Sequence, residues 1–506
     1  MSTVRRLSRD YAAQLAGFAV SFGDRLLVPG IFLRALGVPA FAAWSVAIAA
    51  ASLISALDLG AVRYFTNRVI GLVEQGRSED AREEFARGLL FLVAISLAAP
   101  VAIVWGASFG VFSSGDRILD SQLGALLVPI CAAQAVRLLA SLHLAIYRAH
   151  RGFATETLIV AASDAARIGV LLIAVLAGFD LVAAAWAWAV ATFLLLAPVW
   201  VHLRRRFPLF ETRLKRSSRS QLAEAALIGS GLWFASALSV AYVALPTIVL
   251  GQLVASAAAL ARFALIRTLA NFVRQAMGMF GSVFGLELFR RQAAGDHGGF
   301  ARVYLESGRL LAVQVGAGAG LLVAIGEPLF AYWTGRPELF NLPMLVLALA
   351  PLLCFPAIPL SVEALSYANR PLPLMQARLV QAGLSVVGFL VLVESDAALR
   401  MMAALAIGET LGLGLLLALA MRRLEPKIGI VPHLDFASRA WLTAAALFFL
   451  IGLLDAAPNT DPRLALALEL AWGLAWAGVL VLVVGMSSGR RRRLMDGFLA
   501  ALRQGR

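Results

Sequence analysis

The chain contains fourteen separate runs of mostly apolar residues, each long enough to cross a bilayer. They lie near 10–34, 39–59, 86–110, 121–146, 155–178, 180–202, 222–250, 255–285, 303–326, 340–365, 372–393, 398–421, 437–454 and 464–485. A helix of about 20 apolar residues spans the hydrocarbon core. Inside that core the chain must satisfy its own backbone polar groups, and a helix does so within one segment. The composition agrees: of 506 residues 60% are hydrophobic and 15% charged, with a mean hydropathy of +0.83. A soluble domain is nearer half apolar and a quarter charged. The sequence therefore predicts an all-α polytopic membrane protein with about 14 transmembrane helices: two six-helix lobes and two C-terminal helices.

Charge orients these spans. The formal net charge is +14, from 44 Lys+Arg and 30 Asp+Glu, and only Lys215 and Lys427 are lysines. In a soluble protein such a balance would suggest nucleic acid. Here one alternating set of connections, with both termini, holds 30 of the basic residues. The opposite set holds five: Arg34, Arg117, Arg336, Arg400 and Arg463. Cytoplasmic loops collect Lys and Arg, so both termini are expected to be cytoplasmic. The runs Arg204–Arg206 and Arg490–Arg493 then serve as topology anchors. No cleavable signal peptide is evident, because the segment after the basic N-terminus carries Asp24 and Arg25.

Nine arginines remain inside the spans: Arg25, Arg137, Arg167, Arg262, Arg267, Arg274, Arg309, Arg378 and Arg439. Arg309, Arg378 and Arg439 lie near cytoplasmic ends and can snorkel. Each deeper one costs on the order of 3 kcal/mol or more in hydrocarbon, so these should face protein or a wet cavity. Helical spacing gathers several of them. Arg267, Asn271 and Arg274 stand at i, i+4 and i+7, one face of a helix. Gln14, Ser21 and Arg25 share a face, as do Gln134, Arg137 and Ser141. No acid stands three or four residues from Arg267 or Arg274. The pattern predicts a cationic cavity lined by Arg25, Arg137, Arg267, Asn271 and Arg274, and an anionic cargo. The guanidinium fork suits phosphate bidentately. The competing reading is a set of structural ion pairs, as the i, i+3 spacing of Asp164 and Arg167 suggests.

Deep acids are fewer. Asp24, Asp164 and Glu409 are candidates for a coupling H+ or Na+ site. No cofactor is expected. Cys131 and Cys354 sit in apolar runs and suggest neither a disulfide framework nor a metal site. There is no GxxxxGK[ST], HExxH or GxSxG motif. The connections expected outside are short, which speaks against a glycan polymerase or ligase with a large catalytic loop.

The expected organisation is an N-terminal lobe at 1–203, a basic linker at 204–221, a second lobe at 222–421, two further helices within 437–485 and a basic tail at 486–506. Leu36–Ala40 and Gln252–Ser256 occupy matching outer turns, and charged stretches at Ser78–Arg87 and Phe300–Arg309 precede the third span of each half. This weak similarity suggests parallel repeats related by an axis along the membrane normal.

Several short motifs carry a resemblance. Leu36-Gly37, Trp44-Ser45, Leu57-Asp58-Leu59-Gly60 and Arg68 resemble the signature of the polysaccharide flippases. These belong to the multidrug/oligosaccharidyl-lipid/polysaccharide exporter superfamily. Ile248–Gly251 followed by Ala261–Leu269 is similar to the matching second-half pattern. The resemblance implies two six-helix lobes, alternately open to each side of a bacterial inner membrane. The implied cargo is an isoprenoid-diphosphate-linked oligosaccharide, flipped from inner to outer leaflet for surface polysaccharide or lipopolysaccharide synthesis. Arg25, Arg267 and Arg274 would line its diphosphate site, and Asp58 and Arg63 would lie where cargo comes in. The implied partners are membrane lipids and a glycan polymerase or glycosyltransferases, with no nucleic acid. Pro246-Thr247 departs from the family, whose members often carry an acid there. Two other readings stay open at this point: a cation-coupled multidrug antiporter and a peptidoglycan-precursor flippase.

Overall fold

The computed structural model describes residues 3–56, 61–112, 117–150, 152–207, 219–254, 256–293, 295–367, 371–393, 396–453 and 462–484. Among these the structure is helical throughout, without strands. Twelve of the fourteen expected spans each fall on one helix, while 340–365 falls on two helices separated by a break and 398–421 on two joined by a π-helical segment. Among the described residues ten helices are long and apolar enough to cross a membrane, and a bent pair makes an eleventh. The chain is a polytopic helical membrane protein.

By internal contacts it divides into two compact units, Met1–Ala264 with Trp333–Gly335, and Leu265–Tyr332 with Arg336–Arg506. The first contains α1 (Thr3–Ala35), α2 (Gly37–Ala56), α3 (Ala61–Glu74), α4 (Ser78–Ser108), α5 (Arg117–Ala149), α6 (Phe153–Leu176), α7 (Leu181–Arg206), α8 (Arg219–Leu253) and the start of α9 (Ala257–Ala293). At its centre, α2 is buried on nearly every side: Phe41, Ala42, Val46, Ala47, Ala50 and Ile54 are all enclosed. A helix apolar all round belongs inside, and α2 packs on α5 and α8. Gly37 has φ +83° and allows the tight turn from α1 into α2. Helix α8 groups with this unit although the basic linker precedes it, because Ala244, Ile248 and Leu250 are buried there.

Helix α3 lies within a segment that the apolar runs leave as a connection. Its signal is short but regular: Phe65, Val69 and Leu72 recur at helical spacing and are buried, while Arg68 points outward. The charged stretch Ser78–Arg87 forms the first turns of α4. Phe300–Arg309 likewise lies inside a single long helix, α10 (His297–Thr334).

The second unit adds α11 (Leu342–Cys354), α12 (Ile358–Tyr367), α13 (Pro371–Val391), α14 (Ala397–Ile407), a π-helical segment (Gly408–Leu415), α15 (Leu416–Leu424), α16 (Ile430–Gly452) and α17 (Pro462–Val484). Between α11 and α12 the span bends by 53°. Pro356 and Pro359 cause the break, since proline cannot donate the intrahelical bond. Its backbone remains partnered, Phe355 N donating to Pro351 O at 3.0 Å and Ile358 N to Phe355 O at 3.2 Å. Along α10, Gly316 and Gly320 face the backbone carbonyls of Ala440 and Ala444 on α16. Small residues let membrane helices approach this closely. Leu447, Ile451 and Leu466 then share a core with Ala317 and Ile325, so α16 and α17 are built onto α10. Arg309 and Arg439, both near expected cytoplasmic span ends, meet one carboxylate: Asp435 accepts from both at 3.3 and 2.8 Å.

Candidate functional site

Among the described residues, two charged clusters hold deep residues singled out by the sequence, one in each unit. In the first unit Asp164 is the hub. One helical turn along α6, Arg167 donates from Nε to its Oδ1 at 2.8 Å, the pairing that the i, i+3 spacing predicts. The same oxygen lies 3.3 Å from Nη2 of Arg137 on α5. Arg167 is 9% exposed and its guanidinium lies 4.8 Å from the centre of the Trp188 ring on α7. An enclosed arginine is held there by a carboxylate on one side and an aromatic face on the other. Arg137 is more open, at 34%. On α1, Asp24 lies within electrostatic reach of Arg167, Asp164, Arg137 and Arg25, and α1 packs along α6.

Of these side chains Arg137, Asp164 and Arg167 border a cavity of about 150 Å³, whose lining also includes Ser141, Ser163 and Thr192. Asp24, Arg25, Arg137, Asp164 and Arg167 together comprise three cations and two anions, so the cluster carries an excess positive charge at neutral pH. Sequence spacing makes Arg167 look neutralised by its own helix. The structure shows that Asp164 is shared, so one acid serves two arginines. Arg167 and Trp188 therefore belong to the cluster, although the spacing places neither of them in the cavity lining.

In the second unit Arg274 meets Glu409 fork to fork. Nη1 donates to Oε1 and Nη2 to Oε2, the latter at 2.7 Å. Nη2 also lies 3.5 Å from the carbonyl of Ala348 on α11. The acid absent from positions near Arg274 on its own helix arrives from 135 residues away. An expected cargo ligand and an expected coupling acid thus form one ion pair. Arg267 and Asn271 are partly buried on the same face of α9 as Arg274. Asp58 lies outside the described residues, and of Arg63 only its place on α3 is described. Among the described residues no group of three His, Cys, Asp or Glu side chains could hold a metal ion.

The fold and these clusters define a polytopic helical membrane protein with charged clusters inside its spans, one bordering a cavity. Its fold is that of known transporters. The structure is similar to that of a lipid II flippase MurJ in an inward closed conformation, with TM-score 0.66 and 11% identity over 94% of this chain and 98% of that one. It is also similar to an inward-facing MATE-family multidrug resistance transporter of the MOP superfamily, with TM-score 0.63 and 13% identity over 82% and 98%. A third likeness is to a point mutant of the Vibrio cholerae MATE transporter VcmN, with TM-score 0.60 and 14% identity over 84% and 100%. No protein-family model matches the chain. No curated protein matches it.

Proposed function

We propose that this chain is a flippase for an isoprenoid-diphosphate-linked oligosaccharide, moving it from the inner to the outer leaflet by alternating access. The observation that carries this reading is the excess of arginine over carboxylate around the cavity bordered by Arg137 and Arg167. A cationic drug would call for the opposite sign. A diphosphate suits the guanidinium fork, and in a cleft of low dielectric such pairs are stronger than in water. The head group would cross through the protein while the lipid tail stays in the bilayer. Lobes at 1–203 and 222–421 would carry the two halves of the cycle, in a bacterial inner membrane with both termini cytoplasmic. Glycosyltransferases or a glycan polymerase would be its partners in assembling a surface polysaccharide or lipopolysaccharide.

The likeness to the lipid II flippase favours a second reading, the peptidoglycan precursor as cargo. Both cargoes present a diphosphate, so the same arginines would serve, and the sugar separates them. The test is flipping by purified protein in liposomes, using fluorescent isoprenoid-diphosphate saccharides of each kind and a cationic dye as control. Protein-dependent flipping of a surface-polysaccharide precursor, without dye transport, is expected. Flipping confined to the peptidoglycan precursor would select the second reading. Dye transport without diphosphate-lipid flipping would overturn both.

A further inference from the structure

Helices α5, α6 and α7 supply the lining of the cavity in the first unit, and that lining changes character along its length. Besides the polar residues it includes Leu144 on α5, Ile159 and Val160 on α6 and Leu196 on α7. Helix α6 turns back after the short connection at 150–152, and α7 turns back along α6. Each apolar residue therefore stands nearer than its polar neighbour to the end where α5 meets α6. Leu144 lies seven residues from Arg137, Val160 four from Asp164 and Leu196 four from Thr192. On a helix these steps are roughly 6–10 Å. The cavity thus has one charged end and one apolar end.

At the charged end, donors outnumber acceptors. Arg137 engages Asp164 through Nη2, and Arg167 engages it through Nε. A guanidinium carries five N–H donors. Most donors of both forks therefore have no acceptor among the described residues. Ser163 adds a hydroxyl to the lining beside Asp164. Two arginines against one carboxylate leave a positive charge over, and nearby Asp24 and Arg25 add one charge of each sign. Donors and charge in excess both suit an anion. Volume limits its size. Pockets for drug-sized ligands measure about 300–1,000 Å³. This cavity, at about 150 Å³, admits a phosphoryl group and not a saccharide.

We propose that the cavity recognises one phosphoryl group with the first carbons of its isoprenoid, so that an isoprenoid monophosphate is a ligand in its own right. This deepens the flippase reading above and rests on it. The arginines take the lipid-side phosphate of the cargo, and the second phosphate and the saccharide stay outside the cavity. Charge does not separate the two lipids. An alkyl monophosphate carries about 1.5 to 2 negative charges at neutral pH, and a diphosphate substituted at both ends carries one on each phosphate. Free phosphate would meet the donors but leave the apolar end unfilled. Each buried methylene tightens binding by about fourfold, which favours the lipid-borne phosphate. The monophosphate is what remains of the cargo after loss of the saccharide and one phosphate. It therefore competes with fresh cargo for one site.

The test is calorimetric titration of the purified protein in detergent with farnesyl phosphate, a farnesyl-diphosphate-linked sugar, inorganic phosphate and farnesol. Farnesyl phosphate and the sugar-linked diphosphate should displace one another one for one, with dissociation constants within about tenfold. Inorganic phosphate and farnesol should each bind about a hundredfold or more weakly, since each lacks one half of the ligand. Arg137→Ala should weaken both farnesyl ligands by a similar factor of about ten or more. Unchanged farnesyl phosphate binding in a folded Arg137→Ala would overturn the proposal. If that variant does not fold, the competition in the native protein decides. Binding of the sugar-linked diphosphate without competition from farnesyl phosphate would overturn the proposal and leave the flippase reading intact. Inorganic phosphate binding as tightly as farnesyl phosphate would make this a free-phosphate site and overturn the lipid assignment. Binding of farnesyl phosphate without the sugar-linked diphosphate would overturn the flippase reading alone. Binding of neither would overturn both.

Discussion

Arg137→Ala is expected to reduce flipping of a diphosphate-linked saccharide by about tenfold or more while the purified protein keeps its fold. The magnitude is that of one charge-assisted, bidentate contact. The fold survives because Asp164 keeps its shorter bond to Arg167, at 2.8 Å. Arg167→Ala should behave differently. That side chain is enclosed between Asp164 and Trp188, so its removal leaves a hole and strips the carboxylate of its nearest cation. Arg137 still balances the carboxylate, so the loss is about 1–3 kcal/mol, and this variant should unfold at lower temperature in detergent. Liposome flipping and thermal unfolding of both variants are the measurements. Normal flipping by Arg137→Ala would show that the cavity does not carry the head group. Native stability in Arg167→Ala would show that the pair does not hold the unit together.

Gly320→Leu should deplete folded protein altogether, and Gly320→Ala should cost about 1–3 kcal/mol, the usual penalty for overpacking. The Ala444 carbonyl occupies the place of the missing Cβ. Any side chain there must push α10 and α16 apart, and with them the core shared by Leu447, Ile451 and Leu466. Gly478→Ala is the control, since nothing lies within 4 Å of a Cβ at that position. Thermal unfolding of the three variants tests this. Equal stability for Gly320→Ala and Gly478→Ala would show that the α10–α16 contact is looser than described.

The spans were legible because a bilayer imposes one strong rule on every segment separately. Any run of apolar residues long enough must cross, whatever its neighbours do. Helix α3 escaped that rule because it obeys a different one: three buried residues at helical spacing, Phe65, Val69 and Leu72, carry too little apolar length to register as a span. The bend before α12 was visible as a proline cluster, but prolines also sit inside α5 and α8, which continue through Pro129 and Pro246. Whether a proline breaks a helix depends on neighbours that can take over its lost hydrogen bond.

Buried charge was legible as cost and not as partnership. Spacing within one helix identifies Asp164 with Arg167. It says nothing of Arg137, 27 residues earlier, or of the bond between Arg274 and Glu409 across 135 residues. The energetic argument that a deep arginine must face something polar holds for both clusters. Naming the partner requires the packing of helices that are remote in sequence.

The π-helical segment at Gly408–Leu415 has a consequence for how this span tolerates length changes. Each residue of an α-helix advances about 100° around the axis, and a π segment accommodates additional chain without passing that rotation on to the turns beyond it. Deleting one residue between Leu411 and Leu415 should therefore act less as a shortening than as a turn of a screw. If the remainder closes into ordinary α-helix, α15 swings by roughly 100° relative to Glu409. Leu417, Ala418 and Met421 then leave the interior that now buries them. The segment works as a phase adjuster between the charged position at Glu409 and the apolar face of α15. Insertions and deletions there should therefore act through angle rather than through distance.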